Sequence, residues 1–90
     1  MKGIITVLGK DQVGVIAKVC TFLSERGMNI LDISETIVQG YLNMLMIVQL
    51  EPLTDQNFAR TVQELMELGE SIGMEIKLQH EDIFETMHRI

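Results

Sequence analysis

Three positions in this chain have the types and spacing to hold a small charged molecule. Asp11 and Gly14 lie in "VLGKDQVGVIAKV", residues 7–19, between a strand-like and a helix-like apolar pattern. Asn29 stands in "RGMNI", two residues past the glycine that ends the helical pattern. A loop entering a helix presents backbone N–H groups that lack intrahelical partners, and the helix dipole favours an anion there. Gly14 has no side chain to block approach. The Asn29 carboxamide both donates and accepts, so opposite such a terminus it suits the ammonium and carboxylate of a zwitterion. Plainer roles stand beside these. Asp11 would cap the helix, Gly14 would let helix and strand pack closely, and Asn29 would close a turn.

Phosphate chemistry fits the loop less well. "GKDQVG" matches G-x-x-x-x-G from Gly9 to Gly14, but a phosphate loop continues with Lys and then Ser or Thr. Here Val15 and Ile16 follow, and Lys10 precedes the second glycine. The dinucleotide pattern G-x-G-x-x-G is absent. A small carboxylate is the better match.

The remaining reactive side chains have structural readings. Cys20 falls on the expected apolar helix stripe as core. Asp32 opposes Leu31 and Ile33 as a strand-edge acid, and His80 ends the last strand. Glu81, Glu85 and His88 follow helical spacing, but no second ligand set accompanies them, so the reading is a solvated face and no metal. Met44, Met46, Met66 and Met87 read as adaptable packing. No Ser, Cys or His nucleophile can be joined to a base, and no cofactor is implied. The chain is expected not to be an enzyme.

These positions must be held by a short list of elements. "GIITVL" (3–8) is a β-branched run between glycines and reads as a buried strand. Val13, Ile16, Ala17, Cys20 and Leu23 recur at three and four, predicting an amphipathic helix closed by a left-handed Gly27, with Arg26 in its last turn. Residues 29–38 and 42–50 form two strands around Gln39, Gly40 and Tyr41, a hairpin, and Pro52 ends the second. Thr54 or Asp55 caps a helix with the stripe Phe58, Val62, Leu65, Met66 and Ile72, weakened near its end by Gly69. "MEIKLQH" alternates, placing Met74, Ile76 and Leu78 inward. In the tail, Ile83, Phe84, Met87 and Ile90 predict a short C-terminal helix.

The order β-α-β-β-α-β has one natural right-handed solution: an α+β, ferredoxin-like four-stranded antiparallel sheet with two helices on one face. Residues 1–80 make the domain and 81–90 a helical extension of it. Ninety residues, 47% of them hydrophobic but with only three Phe, one Tyr and no Trp, leave a small core of aliphatic side chains and seven Met. On the second hairpin strand, Asn43, Leu45, Ile47 and Gln49 form a half-apolar outer face. A partner sheet or the terminal helix is expected to cover it, and a homodimer is expected. The formal charge of −6, with seven basic against 13 acidic residues, argues against nucleic acid and against a basic membrane-surface helix. One cysteine excludes an internal disulfide and a CxxC motif. No signal-peptide core or membrane-length apolar run is present, so a cytoplasmic location is expected.

The stretch "GKDQVGVIAKVCTFLSERGMNILDISETI" resembles the signature of the ACT domain: strand, D-x-x-G, amphipathic helix, then G-x-N-I and an acidic residue in the second strand. The likeness runs over about residues 2–80 and leaves little room for a catalytic domain, as in a stand-alone member. It implies a regulatory fold that pairs with a second copy and often binds an amino acid at the interface. By position, Asp11, Gln12, Val13 and Gly14 would hold one end of the ligand, with Asn29 and Ile30 supplied by the other copy. Gly9 stands where serine-binding relatives place a His, and Val13 where many have Pro.

Two functions from different classes follow. One is a homodimeric amino-acid sensor that signals to another protein. The other is an interaction module with no small-molecule ligand, in which the loop only packs and an apolar face or the tail recruits a partner. The fold alone does not choose between them. A metallochaperone's CxxC, an acylphosphatase's loop Arg and an RNA-recognition module's aromatic, basic face are all missing.

Overall fold

β-Branched and aliphatic residues at period two, punctuated by glycine turns, build a sheet whose strands run to nearly the full length of their apolar patterns. A computed structural model describes residues 2–50 and 55–82. The elements are β1 (Lys2–Lys10), α1 (Val15–Glu25), β2 (Asn29–Val38), β3 (Tyr41–Gln49), α2 (Asp55–Ile72) and β4 (Met74–His80). The four strands form one antiparallel sheet in the order β2-β3-β1-β4, which is the expected ferredoxin-like arrangement. The expected C-terminal helix, Pro52 and Thr54 fall wholly or largely outside the described residues.

Register divides the sheet cleanly. Ile5 faces Met46 and Leu78 on its two neighbours, and Val7 faces Met44 and Ile76. All six are buried on the side that receives the helices. The opposite face carries Thr6, Leu45 and Lys77 in one row and Leu8, Asn43 and Glu75 in the next. Leu45 and Ile47 are half-buried there, and Leu8 is half-exposed.

The hairpin turn is tighter than the sequence indicates. Gln39 and Gly40 both take positive φ, 50° and 83°, and Tyr41 already opens β3 opposite Val38. A two-residue turn of this hand matches the twist of the strands it joins, and glycine makes its second position inexpensive. A register shift falls between Ile30 and Asp32, so Leu31 is the extra residue of a bulge.

Two corrections concern the helices. α1 begins at Val15, not Val13, and its core face is Val15, Val19, Phe22 and Leu23. Ile16 and Ala17 turn away from that face and are exposed, while Cys20, half-buried, packs against the core at its margin. α1 has apolar residues at both phases of the helical repeat. The phase carrying Phe22 wins because it buries more area. In α2 the stripe holds except at Met66, which is 44% exposed at its margin.

The helix ends explain themselves. α1 stops where Gly27 takes φ 69°, with Met28 N–H donating to Leu23 O at 2.9 Å and Gly27 N–H to Ser24 O at 3.1 Å. That pair of bonds is the Schellman closure. Arg26 follows the last helical residue and donates to Phe22 O at 3.3 Å. Gly69 sits inside α2 because a β-carbon there would meet the Met74 carbonyl oxygen at 2.5 Å. Its missing side chain lets α2 lie directly on β4.

Candidate functional site

The β1–α1 loop is held at both flanks. Asp11 N–H donates to Gly40 O of the hairpin turn at 2.8 Å, and Gln12 Nε2 donates to the Ile72 carbonyl at the end of α2. Gln12 and Val13 are exposed, Val13 completely. Gly14 is the N-cap, at φ 90° and ψ −1°, and no side chain caps the helix. The expected role of Asp11 as that cap is therefore not what is found: its backbone is committed to the hairpin while its side chain lies exposed. Gly14 has no atom within 4 Å of the place a β-carbon would occupy, so its role is not close packing. Its carbonyl accepts from Lys18 N–H at 3.0 Å, and the first-turn N–H groups have no acceptor within the helix. No acidic residue occupies that first turn, so no side chain of the helix itself offsets anion attraction at this terminus.

Asn29 and Ile30 lie elsewhere. β1 and β2 both run antiparallel to β3, so their starts share one end of the sheet, and Asn29 and Lys2 flank the same β3 residue, Gln49. The Asp11–Gly14 loop is at the other end. α1 alone, at 11 residues, separates the two by about 16 Å. Within one chain, the six residues expected at the site form two clusters that do not meet.

What surrounds Asn29 is an open hollow of about 470 Å³ lined by Cys20, Ser24, Gly27, Met28, Asn29 and Ile30. The sequence reading takes Cys20 as core and does not single out Ser24. Their signal was available: they stand four apart on α1, with Ile16 one turn earlier in the same line, and a short turn joins that helix to Asn29. Asp32 Oδ1 accepts its neighbour's N–H, from Ile33 at 2.9 Å, as befits a strand-edge acid. His80 ends β4, and its Nδ1 accepts from Asp82 N–H at 3.2 Å. Among the described residues no three side chains of His, Cys, Asp or Glu gather as metal ligands, and no helix is long and apolar enough to cross a membrane.

Comparison with known proteins decides what this arrangement belongs to. The family model for the ACT domain matches residues 3–79. The chain is a member of the ACT domain family. ACT domains are regulatory modules, and this one resembles others along its whole length. A UPF0237 protein of Bifidobacterium longum is 53% identical over 89 residues, covering 99% of this chain and 98% of that one. The solved ACT domain protein from Streptococcus pneumoniae is 38% identical at a TM-score of 0.83, with 94% of each chain covered. The regulatory subunit of aspartate kinase from Thermus thermophilus, solved ligand-free, is 25% identical at 0.66 over 89% of this chain and 51% of that one.

Proposed function

We propose that this ACT domain is a non-catalytic sensor: a homodimer that binds an amino acid between its two copies and passes that state to another protein. The observation that carries this is the separation of the loop from Asn29 within one chain. Two halves of one zwitterion site, at opposite ends of a sheet, meet only if a second copy brings them together.

β2 offers the means. It is an edge strand of ten residues, with Leu31, Ile33, Ile37 and Val38 each 41–59% exposed. A long apolar edge is a template for another strand. Two-fold pairing of β2 with its copy about an axis normal to the sheet is antiparallel. Asn29 of one copy then lies beside Val38 of the other, and from Val38 the chain turns at Gly40, whose carbonyl holds Asp11. The first-turn N–H groups past Gly14 would take the ligand's carboxylate, and the partner's Asn29 its ammonium.

The test is thermal melting against the common amino acids, with Asn29→Ala in parallel and molar mass measured by light scattering. A ligand at about a hundred times its Kd should add about 2.7 kcal/mol. A rise with one class of amino acid, lost in Asn29→Ala on a dimeric protein, is the expected result. A monomer, or a flat panel, overturns it.

One observation favours the interaction-module reading. Leu8, Val13, Val38 and Tyr41 leave an exposed apolar group, 50–101% accessible, around the end of the sheet that bears the loop. A flat panel together with capture of a protein partner through that end would establish it.

A further inference from the structure

We propose that the hollow beside Asn29 is the side-chain compartment of the ligand site, and that it selects an amino acid whose side chain is uncharged and aliphatic or sulfur-containing. This rests on the sensor reading above and names the class of ligand that reading leaves open.

The compartment's walls set the class. Asn29 stands at the rim as the polar group that would hold the amino acid's charged head. Behind it lie the Cys20 thiol, the Met28 thioether and the Ile30 side chain, all half-buried, with the Ser24 hydroxyl on the exposed side. Cys20, Met28 and Ile30 each pack against the hydrophobic core, so this wall is fixed from behind. Among the described residues no charged side chain lines the hollow.

Of the two charged residues that end α1, Arg26 is engaged elsewhere and Glu25 lines a different groove. Arg26 Nη2 is 2.7 Å from Glu64 Oε2, and its guanidinium lies 3.5 Å above the Phe22 ring. Glu25 borders a separate groove with Ala17, Lys18 and Leu68. Once a second copy closes over the hollow, a carboxylate or ammonium side chain there would lose water and gain no counter-charge from the described lining, which is unfavourable. An aliphatic or thioether side chain has no charge to desolvate and gains contact with polarizable sulfur. The outward line Ile16, Cys20 and Ser24 extends the neutral surface along α1 for a longer side chain.

Cys20 is the chain's one cysteine, so its thiol reports occupancy without a label. The experiment measures the rate of Cys20 alkylation by iodoacetamide, and the melting temperature, with methionine, leucine or valine and separately with aspartate, glutamate, lysine or arginine. The uncharged group should slow alkylation roughly tenfold or more at about a hundred times Kd, and raise the melting temperature. The charged group should do neither. Ser24→Lys, at an exposed position, should shift the response toward aspartate and glutamate. A charged amino acid that protects as well as the uncharged ones overturns the compartment and leaves the sensor standing. A melting response without thiol protection also overturns it, because the ligand then sits elsewhere. No response to any amino acid removes the sensor reading, and this inference with it.

Discussion

Gly69 and Gly14 show two different reasons for the absence of a side chain. At Gly69 a β-carbon would press on the Met74 carbonyl oxygen and on the Ile76 side chain, neither of which can step aside without moving β4. Gly69→Ala is expected to destabilise the domain by about 1–3 kcal/mol. In a domain of this size each kcal/mol lowers the melting temperature by roughly 4–8 °C, so differential scanning calorimetry resolves the effect. Gly14 instead has open space around it but a φ of 90°, which L-residues avoid. Gly14→Ala should cost about 1 kcal/mol through backbone strain alone. Its larger effect should be on ligand response, where the new methyl group stands among the N–H donors. Gln12→Ala removes the donor to the Ile72 carbonyl and should cost about 1 kcal/mol.

At the scale of elements, β2 carries the assembly prediction. Ile37 is half-exposed on the strand that pairs only with β3, so a charge there has little to disturb within one chain. Ile37→Lys should leave the melting curve of the monomer nearly intact while shifting the light-scattering mass from two copies to one. Sequence patterning made the element order legible, because β3 and β4 alternate and four of the five connections hold a glycine. It made the phase of α1 illegible, since apolar residues occupy both faces and only packing selects between them. The bulge at Leu31 was equally hidden. It places Ile30 opposite Val48 and Ile33 opposite Met46, two core-facing partners, so two residues three apart share one face of a strand. At the site, Asn29 and the loop were legible as chemistry but not as geometry. Strand length and the direction of β2 decide that they lie apart, and neither is a property of any one motif.

For the molecule as a whole, charge is the dominant long-range term. Each copy carries −6, and β2 itself bears Asp32 and Glu35, so bringing two such edges together opposes their fields. Salt shortens the reach of that repulsion to about 10 Å at 0.1 M. The dimer dissociation constant measured by sedimentation should therefore fall as salt rises, the reverse of an assembly built on opposite charges. Arg26 ties the end of α1 to the middle of α2, meeting Glu64 and stacking on Phe22. These groups are about one-third exposed, so Arg26→Ala should cost only about 1 kcal/mol of stability.

The 11 residues of α1 hold the two halves of the proposed site apart in every single chain. A ligand that needs both halves acts as a clasp between chains, and its apparent affinity then depends on how many chains are present. On dilution, each ligand must also supply the free energy of bringing two copies together. A cell with few copies would respond only to abundant amino acid, and a cell with many would respond to a trace. On the proposed sensor reading, abundance of the protein would set the threshold of the signal.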